Sequence, residues 1–136
     1  MPYLNLLTKT TADSVLLRKI LIDLCRAREK EISVTLCSQN QIRIFNQKYR
    51  HQNSPTDVLS FATGDIIIAP AVAWQNACRY QHSLTAELIY LMIHGLCHLR
   101  GHDHDRQQNI RRMRQAENKL LAYVRKKYNI IIVGRI

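Results

Sequence analysis

A chain of 136 residues with 46% hydrophobic residues, 3 prolines and 4 glycines is long enough for one compact domain with a proper core. No apolar run reaches the roughly 18 residues of a membrane span, and the first residues lack the plan of a secretory signal, which excludes a membrane protein and predicts a cytoplasmic one with its 4 cysteines reduced. The net charge of +10 indicates a polyanionic partner, chiefly nucleic acid.

Hydrophobic periodicity and capping residues predict strands and helices that alternate through the first half of the chain. In order, they are an edge strand over residues 2–7, a helix capped by Asp13 or Ser14 and running to about Arg28, a strand over 32–36, and a helix capped by Ser38 and ending near Arg50. A loop over 51–55 then leads to two strands, 58–61 and 66–68, joined by a short turn.

Helices dominate the second half. They are a short helix from Pro70 that carries Trp74, a helix from Ser83 to about Arg100 that is apolar nearly all round, and a final helix from about Asp105 to Tyr128. The tail over 130–133 is strand-prone and suggests an extra edge strand or a subunit contact. This order predicts a single α+β domain over 1–136, with a small mixed sheet packed by helices and the apolar helix at its centre.

Three histidines in the run 94–104 are the most informative feature. His94 and His98 are four residues apart, so they share one face of a helix. Gly101 can end that helix and let the chain present His104 to the same point. The pattern predicts an open site for one Zn²⁺ with a position left for water. Cys97 could be a further ligand, although a cysteine on an apolar helix is more often part of the core.

Glu87 lies on the same stripe of the apolar helix as His94 and His98, at spacings of seven and eleven residues. Two interpretations stay open for it. It could accept a hydrogen bond from a ligand imidazole, or it could be an acid favoured by the dipole in the first helical turn.

The cations are concentrated at and beyond this motif: Arg100, Arg106, Arg111, Arg112, Arg114, Lys119, Arg125, Lys126 and Lys127. A run of charges usually forms a solvated helix face. Beside a metal site, however, such a surface favours a phosphodiester substrate.

The spacing HxxxHxxGxxH also occurs in metzincin peptidases, which need a glutamate directly after the first histidine as the general base. Gly95 occupies that position here. The sequence therefore argues against a peptidase.

The run 94–104 resembles the zinc motif of the YbeY endoribonucleases, usually written HGxLHLxGYDH. A second block resembles that family's other marker and consists of Asn46, Tyr49, Arg50 and residues 55–61. Residues 64–68 match the family's next strand, and Met113 with Glu117 match its following helix. His102 replaces the family's usual tyrosine, and the loop after Phe61 is shorter than in most members, which we expect to open one side of the cleft.

The resemblance implies a zinc-dependent endoribonuclease for single-stranded RNA. It implies action in ribosomal RNA maturation, including the 3′ end of 16S rRNA, and in ribosome quality control, with the small subunit and its proteins as partners. By position, His94, His98 and His104 are the implied zinc ligands, and Arg50 and His94 the implied catalytic residues. Asp57 is expected to be structural, since an aspartate in a turn commonly binds neighbouring backbone amides.

Two alternatives differ in class from this interpretation. One is a different zinc hydrolase, such as a peptidase. The other is a non-catalytic ribosome-binding protein whose zinc is structural, although structural zinc usually has four protein ligands.

Overall fold

The computed structural model of the chain describes residues 1–101 and 107–135. Within these ranges the elements are β1 (Tyr3–Leu6), α1 (Ser14–Leu24), β2 (Ser33–Leu36), α2 (Gln39–Arg50), β3 (Val58–Phe61), β4 (Asp65–Ile68), α3 (Pro70–Arg79), α4 (Leu84–Leu99) and α5 (Gln107–Tyr128). The predicted start of the last helix at Asp105 lies outside the described residues. No helix within these ranges is long and apolar enough to span a membrane.

The four strands form one mixed sheet in the order β1-β2-β4-β3. β1, β2 and β4 are parallel, whereas β3 runs antiparallel to β4 and pairs Val58 with Ile68 and Phe61 with Asp65. Gly64, at a φ of +101°, makes the tight turn between β3 and β4, and its N–H donates to the Phe61 carbonyl. The predicted α+β domain with a small mixed sheet is confirmed.

Both faces of the sheet are covered. Ile66 and Ile68 of β4 face the main core beneath α4, while Ile67 faces a smaller cluster that includes Ile42 of α2. α4 contacts α1, α3, α5 and the two strands β3 and β4, so it is the central helix of the domain. Cys97 is buried in this core, where burial raises the pKa of its thiol to about 12. It is therefore a neutral core residue.

Two details of the elements differ from prediction. α1 ends at Leu24 rather than near Arg28. The turn that follows is closed by the Glu29 side chain, which accepts a hydrogen bond from the Arg26 N–H, and Arg100 donates to the Leu24 carbonyl. Neither contact can be predicted from helical periodicity, so the sequence pattern places the end of α1 too late.

The tail over 130–135 contains no strand, so the suggested extra edge strand is wrong. Ile132 is buried in the main core instead. Its carbonyl accepts from Arg125 Nε at 2.7 Å, and the N–H of Val133 donates to His82 Nδ1 at 2.9 Å. The segment thus packs across the beginning of α4, where side-chain hydrogen bonds replace a strand ladder.

Candidate metal centre and catalytic cleft

An open cleft of about 900 Å³ lies beside β3, at the edge of the sheet. Three stretches of chain supply its walls: the end of α2, the strand β3 with its flanks, and the end of α4. The lining residues are Tyr49, Arg50, Asp57, Val58, Leu59, Ser60, Phe61, Ala62, His94, His98, Leu99 and Gly101. The cleft therefore brings the predicted histidines and Arg50 together, from positions more than forty residues apart in the sequence.

His94 and His98 lie one turn apart on α4, as their spacing predicts. Their ring centroids are 4.8 Å apart and the ring planes are nearly perpendicular, at 81°. Among residues 1–101 and 107–135, no group of three or more His, Cys, Asp or Glu side chains is arranged to hold a metal ion. Two of the three predicted ligands thus meet in the described part of the chain, and His104 lies outside it.

A buried carboxylate holds the His94 ring from behind the cleft. His94 Nδ1 is 2.7 Å from Glu117 Oε2, and Glu117 is 1% exposed. The other carboxylate oxygen of Glu117 accepts from the Tyr90 hydroxyl at 3.3 Å and from Arg114 Nη1 at 3.2 Å. When Nδ1 donates its proton to Glu117, Nε2 carries the lone pair, which is the tautomer that a metal ligand requires.

The charge of Glu117 is maintained by these partners. Burial raises the pKa of its carboxyl, but the hydrogen bond and charge of His94, together with Arg114 and Tyr90, outweigh it and hold the pKa below its ordinary value. Burial and the nearby Glu117 carboxylate raise the pKa of Tyr90 to about 12, so this hydroxyl stays a donor.

Sequence reasoning named Glu117 only through the resemblance, although its signal was readable from the chain alone. Met113, Glu117, Leu121 and Val124 are the buried residues of α5, at spacings of four, four and three. A single acid within an apolar helical stripe needs a buried partner. The stripe thus marks Glu117 as a residue that pairs inside the domain.

Glu87 does not bind a ligand histidine, because other partners occupy its carboxylate. It is 0% exposed and receives Arg135 Nη2 on both oxygens, at 2.7 and 2.5 Å, and His82 Nε2 at 2.7 Å. The Arg135 guanidinium lies between the rings of Tyr80 and Tyr90, 3.8 and 3.9 Å from their centroids. Of the two interpretations left open, the place in the first helical turn is confirmed, and the carboxylate that contacts His94 is Glu117 instead.

Asp57 stands where β3 begins, in the wall of the cleft. Its carboxylate accepts from Asn76 Nδ2 at 3.1 Å. Its carbonyl accepts from the Ala69 N–H at 2.9 Å. Burial, followed by the charge of Glu87, raises the pKa of the carboxyl. These two contacts join the residue before β3 to α3 and to the residue before it, so Asp57 helps to fix the start of the cleft wall.

Arg50 is the last residue of α2 and is exposed in the cleft. The helix stops there because His51 takes the left-handed conformation, with a φ of +57°. Asn46 Nδ2 donates to the Ser54 carbonyl at 2.9 Å and so holds the loop that follows. The guanidinium is therefore presented by a fixed helix end, whose dipole it also complements.

Gly95 faces β4 at a distance that leaves no room for a side chain. A Cβ atom at this position would lie 2.8 Å from Cγ2 of Ile66. The close approach lets α4 pack directly on the sheet, and it rejects the glutamate that a metzincin needs there. The expectation against a peptidase thus has a steric basis.

The family model for the endoribonuclease YbeY matches residues 7–125. Among curated relatives, the endoribonuclease YbeY of Carboxydothermus hydrogenoformans is 35% identical over 87% of this chain and 92% of its own. That of Heliobacterium modesticaldum is 38% identical over 68% of this chain and 69% of its own. The chain belongs to the endoribonuclease YbeY family.

The solution structure of TM1509, a Thermotoga maritima protein, has a similar fold, with a TM-score of 0.60 and 26% sequence identity. The likeness covers 93% of this chain and 91% of that one. As a member of the YbeY family the chain is an endoribonuclease, of a family that acts in ribosomal RNA maturation. The family and enzyme class that the motifs implied are confirmed.

Proposed function

We propose that the chain is a zinc-dependent endoribonuclease that cleaves single-stranded regions of ribosomal RNA, including the 3′ end of 16S rRNA, and serves ribosome quality control. The observation that carries this proposal is the His94–Glu117 pair in the wall of the open cleft. A carboxylate bound to one imidazole nitrogen orients the ring and raises the basicity of the other nitrogen, as found around metal-ligating histidines.

The proposed ligands of one Zn²⁺ per chain are His94, His98 and His104. The first two fit, because they share one face of α4 at the cleft and the contact of Glu117 with His94 Nδ1 favours the tautomer that a metal needs. When bound, zinc supplies a Lewis acid and a nucleophilic water at neutral pH. By accepting a hydrogen bond from His94 Nδ1, Glu117 would keep the imidazole proton on that nitrogen and prevent the ring from rotating.

Arg50 is the proposed phosphate-binding residue. A planar guanidinium can bind a phosphate through two parallel hydrogen bonds and stabilise the charge that grows on it in the transition state. The alternative interpretation is that Arg50 is only a cation that interacts favourably with the dipole at the end of α2. The exposure of Arg50 in the same cleft as the histidines supports the catalytic role. His94 is the second proposed catalytic residue.

An unpaired strand suits this cleft better than a duplex does. A flexible strand can turn its scissile phosphate to the floor of a cleft that lies at one edge of a sheet, whereas a regular duplex cannot be splayed out in this way. We further propose the small ribosomal subunit and its proteins as partners, the cytoplasm as location, and one domain over 1–136. A structural zinc without catalysis is disfavoured by membership of an enzyme family.

The metal is tested by elemental analysis of purified variants. His94→Ala, His98→Ala and His104→Ala should each lose zinc, whereas His102→Ala and His51→Asn should retain one equivalent. Asparagine suits the left-handed conformation at position 51, so this control leaves the end of α2 intact. One equivalent of metal in His98→Ala would sink the ligand assignment.

The reaction is tested with labelled single-stranded RNA and its duplex. Wild-type protein should cleave the single strand and leave the duplex nearly intact. Arg50→Lys should keep its zinc and melting temperature yet cleave slowly, because a point charge does not reproduce the planar fork. Arg18→Lys, an exposed change on α1, is the control. Wild-type rates for Arg50→Lys would show that two-point binding of phosphate is not needed.

A further inference from the structure

A second groove adjoins the cleft, on the side of the β3–β4 turn. It encloses about 410 Å³ and shares two of its lining residues, Tyr49 and Phe61, with the cleft. Phe45 and Ile67 extend its apolar floor. The groove is therefore continuous with the cleft in which we propose that RNA is cut, and three of the residues that line it are aromatic.

The ring of Tyr49 is fixed in place while much of it stays accessible. Its centroid lies 5.2 Å from that of Phe61 in an edge-to-face contact and 6.2 Å from that of Phe45 in a near-parallel one. Tyr49 is nevertheless 53% exposed. A large exposed aromatic ring, held by other rings beside a catalytic cleft, is a ready surface for stacking.

The rim of the groove is polar and its approach is cationic. Thr35, Thr63 and Asp65 line it, and the Thr63 hydroxyl donates to Asp65 Oδ2 at 2.6 Å. The Lys48 ammonium lies 5.3 Å from the Tyr49 ring centroid, and Arg50 is the residue directly after Tyr49 in the sequence. A ligand for this groove should combine a flat π-system, hydrogen-bonding edges and negative charge.

We propose that the groove binds one unpaired nucleobase of the RNA substrate, stacked on Tyr49, while Arg50 holds the neighbouring phosphate. A nucleotide within a single strand has the three properties that the groove selects, whereas an apolar peptide segment lacks the negative charge. The proposal rests on the proposed cleavage of single-stranded RNA in the adjoining cleft. It adds a base-binding subsite beside the scissile bond.

The test is a binding series with the full chain, treated with chelator so that no RNA is cut. Short single-stranded oligoribonucleotides carry one abasic nucleotide, which is moved along the strand. Tyr49→Leu should weaken binding of the intact strand by about 5- to 150-fold, the range that corresponds to loss of one base–aromatic stack. Tyr49→Phe should bind nearly as wild type does. Tyr3→Leu, at an exposed tyrosine on the opposite edge strand, should have no effect.

The deciding observation is non-additivity at one position of the strand. At that position, the abasic nucleotide should lower the affinity of wild-type protein by as much as Tyr49→Leu lowers the affinity for the intact strand. The affinity of Tyr49→Leu itself should be the same for the abasic and the intact strand. Losses that add at every position, or an equal loss at all positions with wild-type protein, would overturn the proposal even if Tyr49→Leu folds poorly. Since no metal or cleavage enters this series, a wrong zinc assignment would appear in the metal analysis and leave the binding result intact.

Discussion

Glu117 shows how one buried side chain can prepare another for chemistry. Its carboxylate binds His94 on one oxygen and Tyr90 with Arg114 on the other. Three partners from α4 and α5 thus hold the buried carboxylate of Glu117, which is stable inside the domain because its oxygens are hydrogen-bonded. The orientation of the proposed ligand His94 depends on this network.

Replacing Glu117 with glutamine should weaken zinc binding while the fold is retained. The amide fills the same volume but loses the charge that holds the Nδ1 proton, and changes of this kind typically cost about 10–100-fold in metal affinity. Competition with a chromophoric chelator measures the affinity. Tyr90→Phe removes only the 3.3 Å bond to the other oxygen and should have a smaller effect. Equal affinities for wild type and Glu117→Gln would refute the orienting role.

Gly95 is a second residue whose surroundings determine its identity. Gly95→Ala should destabilise the domain by about 1–3 kcal/mol through overpacking against Ile66, although alanine in a helix is otherwise favoured over glycine by about 1 kcal/mol. Urea unfolding measures the change. Ile66→Ala opens the space, so the double variant should lose less than the sum of the single ones. A stabilised Gly95→Ala protein would mean that the two elements do not pack so closely.

At the scale of elements, Arg100 ties the end of α4 to the end of α1. Its guanidinium donates to both oxygens of Glu29, at 2.7 and 2.9 Å, and to the Leu24 carbonyl at 2.8 Å. Arg100 is the last residue before Gly101, and the proposed ligand His104 follows soon after. The ion pair therefore anchors the point from which that segment departs.

This ion pair makes a definite prediction for pH. The Arg100 hydrogen bond holds the pKa of Glu29 below its ordinary value of 4.5, so its stabilising contribution is complete above that value and is lost as the pH falls through the lower pKa of the folded state. Glu29→Gln should cost about 2 kcal/mol in the free energy of unfolding at pH 7, and this difference should shrink below pH 4.5.

Urea unfolding of wild type and Glu29→Gln at a series of pH values measures that difference. Glu31→Gln, at an exposed position two residues further on, is the matched control. A cost for Glu29→Gln that stays the same from pH 7 down to about 3 would show that the charge of Glu29 does not contribute.

Local signals predict the elements well where the determinants are close in sequence. α2 is capped at its start by Ser38, through a reciprocal capping box with Gln41, and at its end by the left-handed His51, all within or next to the helix. The end of α1 and the position of the tail depend instead on Arg100, Glu87 and His82, which are remote in sequence. Periodicity carries no information about such partners.

The same limit applies to the site. The spacing of His94 and His98 predicts their shared face, because a helix converts sequence distance directly into geometry. The pairing of Glu117 with His94 crosses from one helix to another, and only the resemblance brought Glu117 forward. The ligand roles of His94, His98 and His104 and the role of Arg50 remain predictions.

Over the whole molecule, the charge of +10 should govern binding of RNA. Arg111 and Arg112 are exposed on α5, whereas Arg114, also expected to contact phosphates, donates to Tyr90 and Glu117. We therefore expect the first two, with Arg50, to contribute more to phosphate binding than Arg114 does.

The logarithm of the affinity for a single strand should fall linearly with the logarithm of the salt concentration. For each phosphate contact, the slope should be about 0.7 log units per tenfold increase in salt. Arg111→Gln should reduce that slope by roughly one contact without changing sequence preference. Filter binding between low and physiological salt measures the slope. Lys19→Gln, an exposed change on α1, is the control. An affinity that is insensitive to salt would assign the basic surface to another partner.

Among residues 1–101 and 107–135, β3 is both a wall of the cleft and an edge of the sheet, with β4 as its hydrogen-bonding partner on one side only. In such a strand every second residue directs its N–H and C=O groups away from the neighbouring strand. Amide hydrogen exchange should therefore alternate along residues 58–61, slow where the ladder protects the proton and fast where it meets water. When RNA fills the cleft, the fast amides should slow while the protected ones stay unchanged, so the outward-facing amides of β3 can report occupancy without any label on the RNA.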